Sequence, residues 1–182
     1  RRALVVGNAA YAGNLSLDNS VNDATDIASA LEGLGFETIL RTDCSLRQME
    51  DDLLTFYDSL KEGDVAVYFY AGHGLELGGV NYLVPIDANV RREFEVAEET
   101  MKAQRVLSAL EASAAGLSVL ILDCCRDNPT RSLFRSAGPQ AGLAQMDTAS
   151  GVVMAFSAAP GQRALDVGER NSPYSLALKQ AL

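Results

Sequence analysis

The sequence predicts a three-layer α/β sandwich with a mainly parallel sheet, and two observations carry that prediction. Short apolar runs rich in β-branched and aromatic residues, such as Asp64–Ala71 and Leu117–Asp123, alternate with segments whose apolar residues recur every three to four positions. The strand-like runs also end abruptly in glycine or polar residues, as β-strands do where they leave a buried sheet.

Each element follows in order. Ala3–Gly7 is a short buried strand, and the loop from Asn8 to Asp18 carries turn formers. Gly7 and Gly13 make neither GxGxxG nor a phosphate loop, which argues against a nucleotide-binding or flavodoxin-like domain. Val21, Ala24, Ile27, Ala28, Leu31 and Leu34 form one helical face, ended by Gly35. Phe36–Thr42 alternates as a second strand. Ser45 and Gln48 are spaced as a capping box for a helix with Met49, Leu53, Phe56, Tyr57 and Leu60 on one face.

Asp64–Ala71 is the third strand, running into Gly72-His73-Gly74, and Leu75–Pro85 reads as a hairpin excursion around Gly78-Gly79. Glu93, Glu95, Glu98 and Glu99 mark a solvated loop or helix start. Met101–Ala115 is the third helix, Leu117–Asp123 the fourth strand and Gly151–Phe156 the fifth. The intervening Asn128–Ser150 is long for a connection in a compact domain, which suggests a mobile or functional segment. Ser172-Pro173 sets a cap and an N1 proline before a last helix, Tyr174–Leu182.

Bulk properties narrow the function. A chain of 182 residues, 48% hydrophobic and 21% charged, suits one well-cored domain spanning 1–182. A net charge of −9 opposes nucleic-acid binding, which needs clustered Lys and Arg. No apolar run is long enough for a membrane span. Three cysteines and one histidine make neither a disulfide framework nor a zinc site, and reduced thiols fit a cytoplasmic location.

Chemistry concentrates at two strand ends. His73, between two glycines, can be approached closely by other backbone, and the Gly74 N–H can serve an oxyanion. Cys125 lies 52 residues later at another strand end. If the two strands are neighbours, their ends lie about 5 Å apart. A thiol and an imidazole at that separation suit acyl transfer. Strand alternation puts Asp123 and Cys125 on one side and Cys124 on the other, where it packs as a small hydrophobe. Asp123 opposes thiolate formation unless a cation joins it. That cation is a substrate Arg or Lys; otherwise Asp123 pairs with Arg126 or caps a turn.

Tyr70-Ala-Gly-His73-Gly74 and Leu122-Asp-Cys-Cys125-Arg-Asp-Asn-Pro129 resemble the histidine and cysteine motifs of caspase-like cysteine peptidases. The likeness is strongest to paracaspases and bacterial orthocaspases. It extends to Gly7-Asn8, Asn22-Asp23-Ala24, Leu83-Val-Pro85-Ile-Asp87 and Phe156-Ser-Ala-Ala. The resemblance implies a caspase-like sheet of order 2-1-3-4-5-6. Its sixth, antiparallel strand is not evident, which implies a chain truncated at its C-terminus.

The resemblance also implies His73 as base, Cys125 as nucleophile and the Gly74 and Cys125 N–H groups as oxyanion hole. It implies Asp23, Asp123 and, most loosely, Asp166 as a pocket for a basic P1 residue. The implied function is a cysteine endopeptidase cutting peptides after Arg or Lys. The alternative is a catalytically idle caspase-like interaction module, against which the intact His73 and Cys125 tell. Some members of the group need calcium, but no Asp-rich calcium loop is visible, so no metal is expected. Arg131 and Arg135, in the long segment, are candidate self-cleavage sites. Homodimerisation and regulatory domains outside the chain are the expected partnerships, beside protein substrates.

Overall fold

The computed structural model describes residues 1–125, 143–148, 151–157 and 169–182, and of Cys125 the backbone. Five strands form the parallel sheet: β1 (Arg2–Gly7), β2 (Glu37–Thr42), β3 (Val65–Leu77), β6 (Leu117–Cys125) and β7 (Val152–Phe156). Their order is β2-β1-β3-β6-β7, all neighbours parallel. In chain order this is the expected 2-1-3-4-5. No sixth main strand occurs among the described residues.

Two layers of helix cover the sheet. On one face, α1 (Ser20–Gly33) and α5 (Pro173–Ala181) pack on Ala3, Val5, Val67, Phe69, Ala71 and Ile121. On the other, α2 (Leu46–Ser59) and α4 (Ala103–Ala112) cover Leu4, Val6, Tyr68, Tyr70, Leu120, Leu122 and Cys124. The alternation along β1, β3 and β6 assigns the faces, because successive side chains leave a strand on opposite sides. Cys124 therefore packs inward opposite Asp123, as the sequence implies. Both expected caps form. Ser45 and Gln48 close a reciprocal capping box on α2, and the Ser172 hydroxyl accepts the Ser175 N–H ahead of Pro173.

Two details depart from the sequence reading. β3 does not stop at Ala71 but runs to Leu77, where the turn at Gly78–Gly79 returns it as β4 (Val80–Leu83), antiparallel to it. Met101–Lys102 is a two-residue strand, β5, paired with β4, so the helix begins only at Ala103. The acidic segment follows its helix-start reading, as a 3-10 turn, Glu93–Glu95, and a single helical turn, α3 (Val96–Glu99). Among the described residues no helix is long and apolar enough to cross a membrane.

Candidate active site

β1 ends at Gly7, opposite Ala71, while β3 continues, so the end of the parallel sheet falls at Gly72-His73-Gly74. β3 and β6 are adjacent and in register, with Gly72 opposite Cys124 and His73 opposite Cys125. This is the juxtaposition that strand order and spacing predict: the imidazole-bearing and thiol-bearing positions are direct cross-strand partners.

The glycines beside His73 are required by what fills their surroundings. A Cβ on Gly72 would stand 2.6 Å from the Tyr70 hydroxyl and 2.8 Å from that of Tyr11. On Gly74 it would meet the Cys124 Cβ at 2.9 Å and Sγ at 3.1 Å. A side chain at either place would force the buried Tyr11 and Tyr70 phenols or the Cys124 side chain to shift.

His73 is buried and held at every level. Its Nε2 lies 2.7 Å from the Leu15 carbonyl, at the end of a 3-10 turn, Gly13–Leu15. A carbonyl only accepts, so Nε2 carries the hydrogen and the neutral ring has its lone pair on Nδ1. The main-chain N–H donates to the Tyr11 hydroxyl at 3.0 Å, and the carbonyl accepts from Val84 N–H at 3.0 Å. The Tyr70 hydroxyl lies 2.9 Å from the His73 carbonyl and 2.8 Å from that of Val84, sharing its one hydrogen between them. The Tyr11 hydroxyl donates to the Val84 carbonyl at 3.0 Å, and its ring sits 4.4 Å from the imidazole. Burial raises both phenols far above their ordinary range, so they stay neutral.

The bond from Val84 N–H to the His73 carbonyl also fixes Gly74. It makes Gly74 and Leu83 a non-hydrogen-bonded pair in the β3–β4 ladder. The Gly74 N–H therefore points away from β4, toward the β6 side of the strand.

Two of the three expected pocket acids are brought together. Asp23 of α1 and Asp123 of β6 are both buried on the α1/α5 face. Asp123 Oδ2 accepts from the Ser172 hydroxyl at 2.6 Å and the Ser175 hydroxyl at 2.7 Å. Asp23 Oδ1 accepts from Ser172 N–H at 3.0 Å and from the Asn171 amide at 3.1 Å. Asp123 thus joins the cap of α5, close to the capping alternative read from the sequence. Asp166, Arg131, Arg135 and Arg126 lie outside the described residues.

Sequence reasoning missed a neighbouring acid. Asp26, one turn along α1 from Asp23, receives a fork from Arg170, Nη2 at 2.7 Å and Nε at 3.1 Å, and Lys179 Nζ at 3.1 Å. The Arg170 bonds first, then that of Lys179, hold its carboxyl well below the usual carboxylate range. Its i,i+3 spacing from Asp23 was the one available signal. The Leu15 carbonyl, a backbone acceptor, left none. Among the described residues no group of three or more His, Cys, Asp or Glu side chains is placed to hold a metal ion.

A doubly covered parallel sheet with histidine and cysteine side by side at its carboxyl end defines a caspase-type α/β domain. The Caspase domain family matches residues 1–182, and the chain belongs to it. It is 30% identical over 125 residues, 68% of its length, to the human mucosa-associated lymphoid tissue lymphoma translocation protein 1. The mouse homolog matches at the same identity over the same share of the chain. The chain spans only 15% of the human protein and 14% of the mouse one. Among solved structures it superposes on protein GSU0716 of Geobacter sulfurreducens with a TM-score of 0.70 at 14% identity, covering 98% of this chain and 80% of that one. The Drosophila initiator caspase Dronc superposes with a TM-score of 0.64 at 13% identity, covering 98% and 61%. These likenesses establish the caspase-like fold.

Proposed function

We propose that the chain is a cysteine endopeptidase that cleaves peptide bonds after Arg or Lys through a Cys125 thioester. The observation that carries this reading is the pairing of His73 with Cys125 in the β3–β6 ladder.

The chemistry follows from how His73 is held. With Nε2 committed to the Leu15 carbonyl, Nδ1 takes the Cys125 thiol proton. The thiolate attacks the P1 carbonyl carbon, forming a C–S bond and pushing the π electrons onto oxygen. The Gly74 and Cys125 N–H groups receive that oxyanion. Collapse re-forms C=O and breaks the C–N bond, and the imidazolium returns its proton to the leaving amine. Water then gives a proton to Nδ1 and attacks the thioester carbon; collapse breaks the C–S bond and the imidazolium returns its proton to sulfur, releasing the acid and the thiol. The Leu15 carbonyl stabilises the imidazolium in both half-reactions. Every proton moves through His73, so no step calls on a metal.

The basic P1 preference is supported by charge placement. The cations of the 170–179 segment, Arg170 and Lys179, go to Asp26, whereas Asn171, Ser172 and Ser175 offer Asp23 and Asp123 neutral donors. Two buried carboxylates brought onto one face of the sheet favour an arriving guanidinium.

A positional-scanning peptide library tests the reading with wild type and Cys125→Ala, each with calcium and with a chelator. Cleavage after Arg, lost in Cys125→Ala and indifferent to calcium, is the expected result. Cleavage by Cys125→Ala would overturn the nucleophile, and preference for an acidic P1 residue would overturn the pocket. A wild type that cleaves nothing would favour the idle interaction module.

A further inference from the structure

Among the described residues, one touches both buried acids. Ser172 donates its main-chain N–H to Asp23 Oδ1 and its hydroxyl hydrogen to Asp123 Oδ2. Its hydroxyl oxygen meanwhile accepts the Ser175 N–H at 3.0 Å as N-cap of α5. A serine hydroxyl has one hydrogen, so capping the helix with a lone pair directs that hydrogen at Asp123. The bridge spans 149 residues to Asp23 and 49 to Asp123. It is anchored from both ends: Arg170 forks onto Asp26, Asn171 adds its amide to Asp23, and Ser175 adds a second hydroxyl to Asp123. Buried polar contacts of this kind hold side chains in one geometry only when each donor finds its acceptor.

We propose that Ser172 is the positioning residue of the basic pocket, fixing Asp23 and Asp123 relative to each other so that arginine is accepted over lysine. This rests on the reading of the two acids as the P1 pocket. A guanidinium presents donors in a rigid planar fork and needs its acceptors fixed in distance and plane, whereas an ammonium rotates three donors to suit displaced ones. Releasing Asp123 from Ser172 therefore penalises an Arg substrate more than a Lys substrate.

The test uses the full chain and paired fluorogenic peptides differing only in P1 Arg or Lys. Ser172→Ala is expected to lower the Arg-over-Lys ratio of kcat/KM about tenfold, mainly through KM of the Arg peptide. The rate of Cys125 alkylation by iodoacetamide, which needs no P1 pocket, is expected to stay at the wild-type value. Ser172→Thr retains both donors and should restore the ratio. Ser45→Ala, which removes the cap of α2 on the opposite face of the sheet, controls for general destabilisation and should leave the ratio unchanged.

Equal losses on both peptides in Ser172→Ala, or an unchanged ratio in a folded variant, would overturn the proposal. If Ser172→Ala does not fold, Ser172→Gly, which is tolerated at an N-cap and has no side-chain donor, carries the same comparison. A wild type with no preference for a basic P1 residue overturns the pocket reading itself, and that result shows before any variant is made.

Discussion

His73 and Cys125 are Cα partners in the parallel ladder of β3 and β6, one position beyond the pair Gly72 and Cys124. That offset separates the adjacent thiols. Cys124 is 1% exposed and packs against Gly74, and Cys44 is 2% exposed with burial pushing its thiol up to about 11. Both are poor nucleophiles near neutral pH. Iodoacetamide on the native protein should therefore give a single adduct, at Cys125, rising to three on unfolding in guanidinium chloride. Mass spectrometry of the peptides checks this, and an adduct at Cys124 would reassign the nucleophile. Cys124→Ala should retain most activity and cost about 1 kcal/mol of stability for the lost packing.

Asp123→Asn separates charge from shape. The amide carbonyl can still accept the Ser172 and Ser175 hydroxyls, so the cap of α5 survives. The negative charge does not. The expected outcome is a loss of about a hundredfold or more in kcat/KM for an Arg peptide, with a melting temperature within a few degrees of wild type. Unchanged kinetics would place Asp123 in the cap alone.

The His73–Cys125 pairing was legible because hydrophobic periodicity marks the two strands and βαβ connectivity favours placing them side by side. The strand order was not legible in this way: β1 lies between the consecutive strands β2 and β3, and only the family resemblance implies that arrangement. What the sequence concealed has long range or lacks a side-chain signature. Ser172 reaches Asp23 across 149 residues, and nothing in Asn-Ser-Pro announces more than a helix cap. The Leu15 carbonyl that orients the imidazole belongs to a residue whose side chain is irrelevant to that bond. β3 was read too short because Gly-His-Gly resembles a break. Those glycines instead make room for Tyr11, Tyr70 and Cys124, and the strand continues through them.

Asp26 gives the fold a pH dependence of definite sign. Its carboxyl is held below the ordinary value of about 3.9 in the folded state, so its contribution is complete above that value. The contribution fades as pH falls through the folded-state value. Arg170 and Lys179 are 58% and 44% exposed, so salt should weaken the effect. Denaturant midpoints at pH 7, 5 and 3 should fall more steeply for wild type than for Asp26→Asn. At pH 7 the variant should be the less stable of the two. Parallel curves would remove Asp26 from the acid sensitivity.

Tyr11 tests whether the imidazole must be held through its main chain as well as its ring. The phenol accepts the buried His73 N–H and packs its ring 4.4 Å from the imidazole. Tyr11→Phe keeps the ring but strands that N–H, at a cost of about 1–3 kcal/mol. Tyr11→Leu removes the ring as well. Asp23 and Asp123 draw their donors from the Asn171–Ser175 segment, not from Tyr11, so the Arg peptide should bind as before. The expected result is a kcat reduced about tenfold in Tyr11→Phe and further in Tyr11→Leu, with KM little changed. Steady-state kinetics on the Arg peptide decides it. A raised KM at unchanged kcat would mean that Tyr11 acts on the substrate pocket and not on His73.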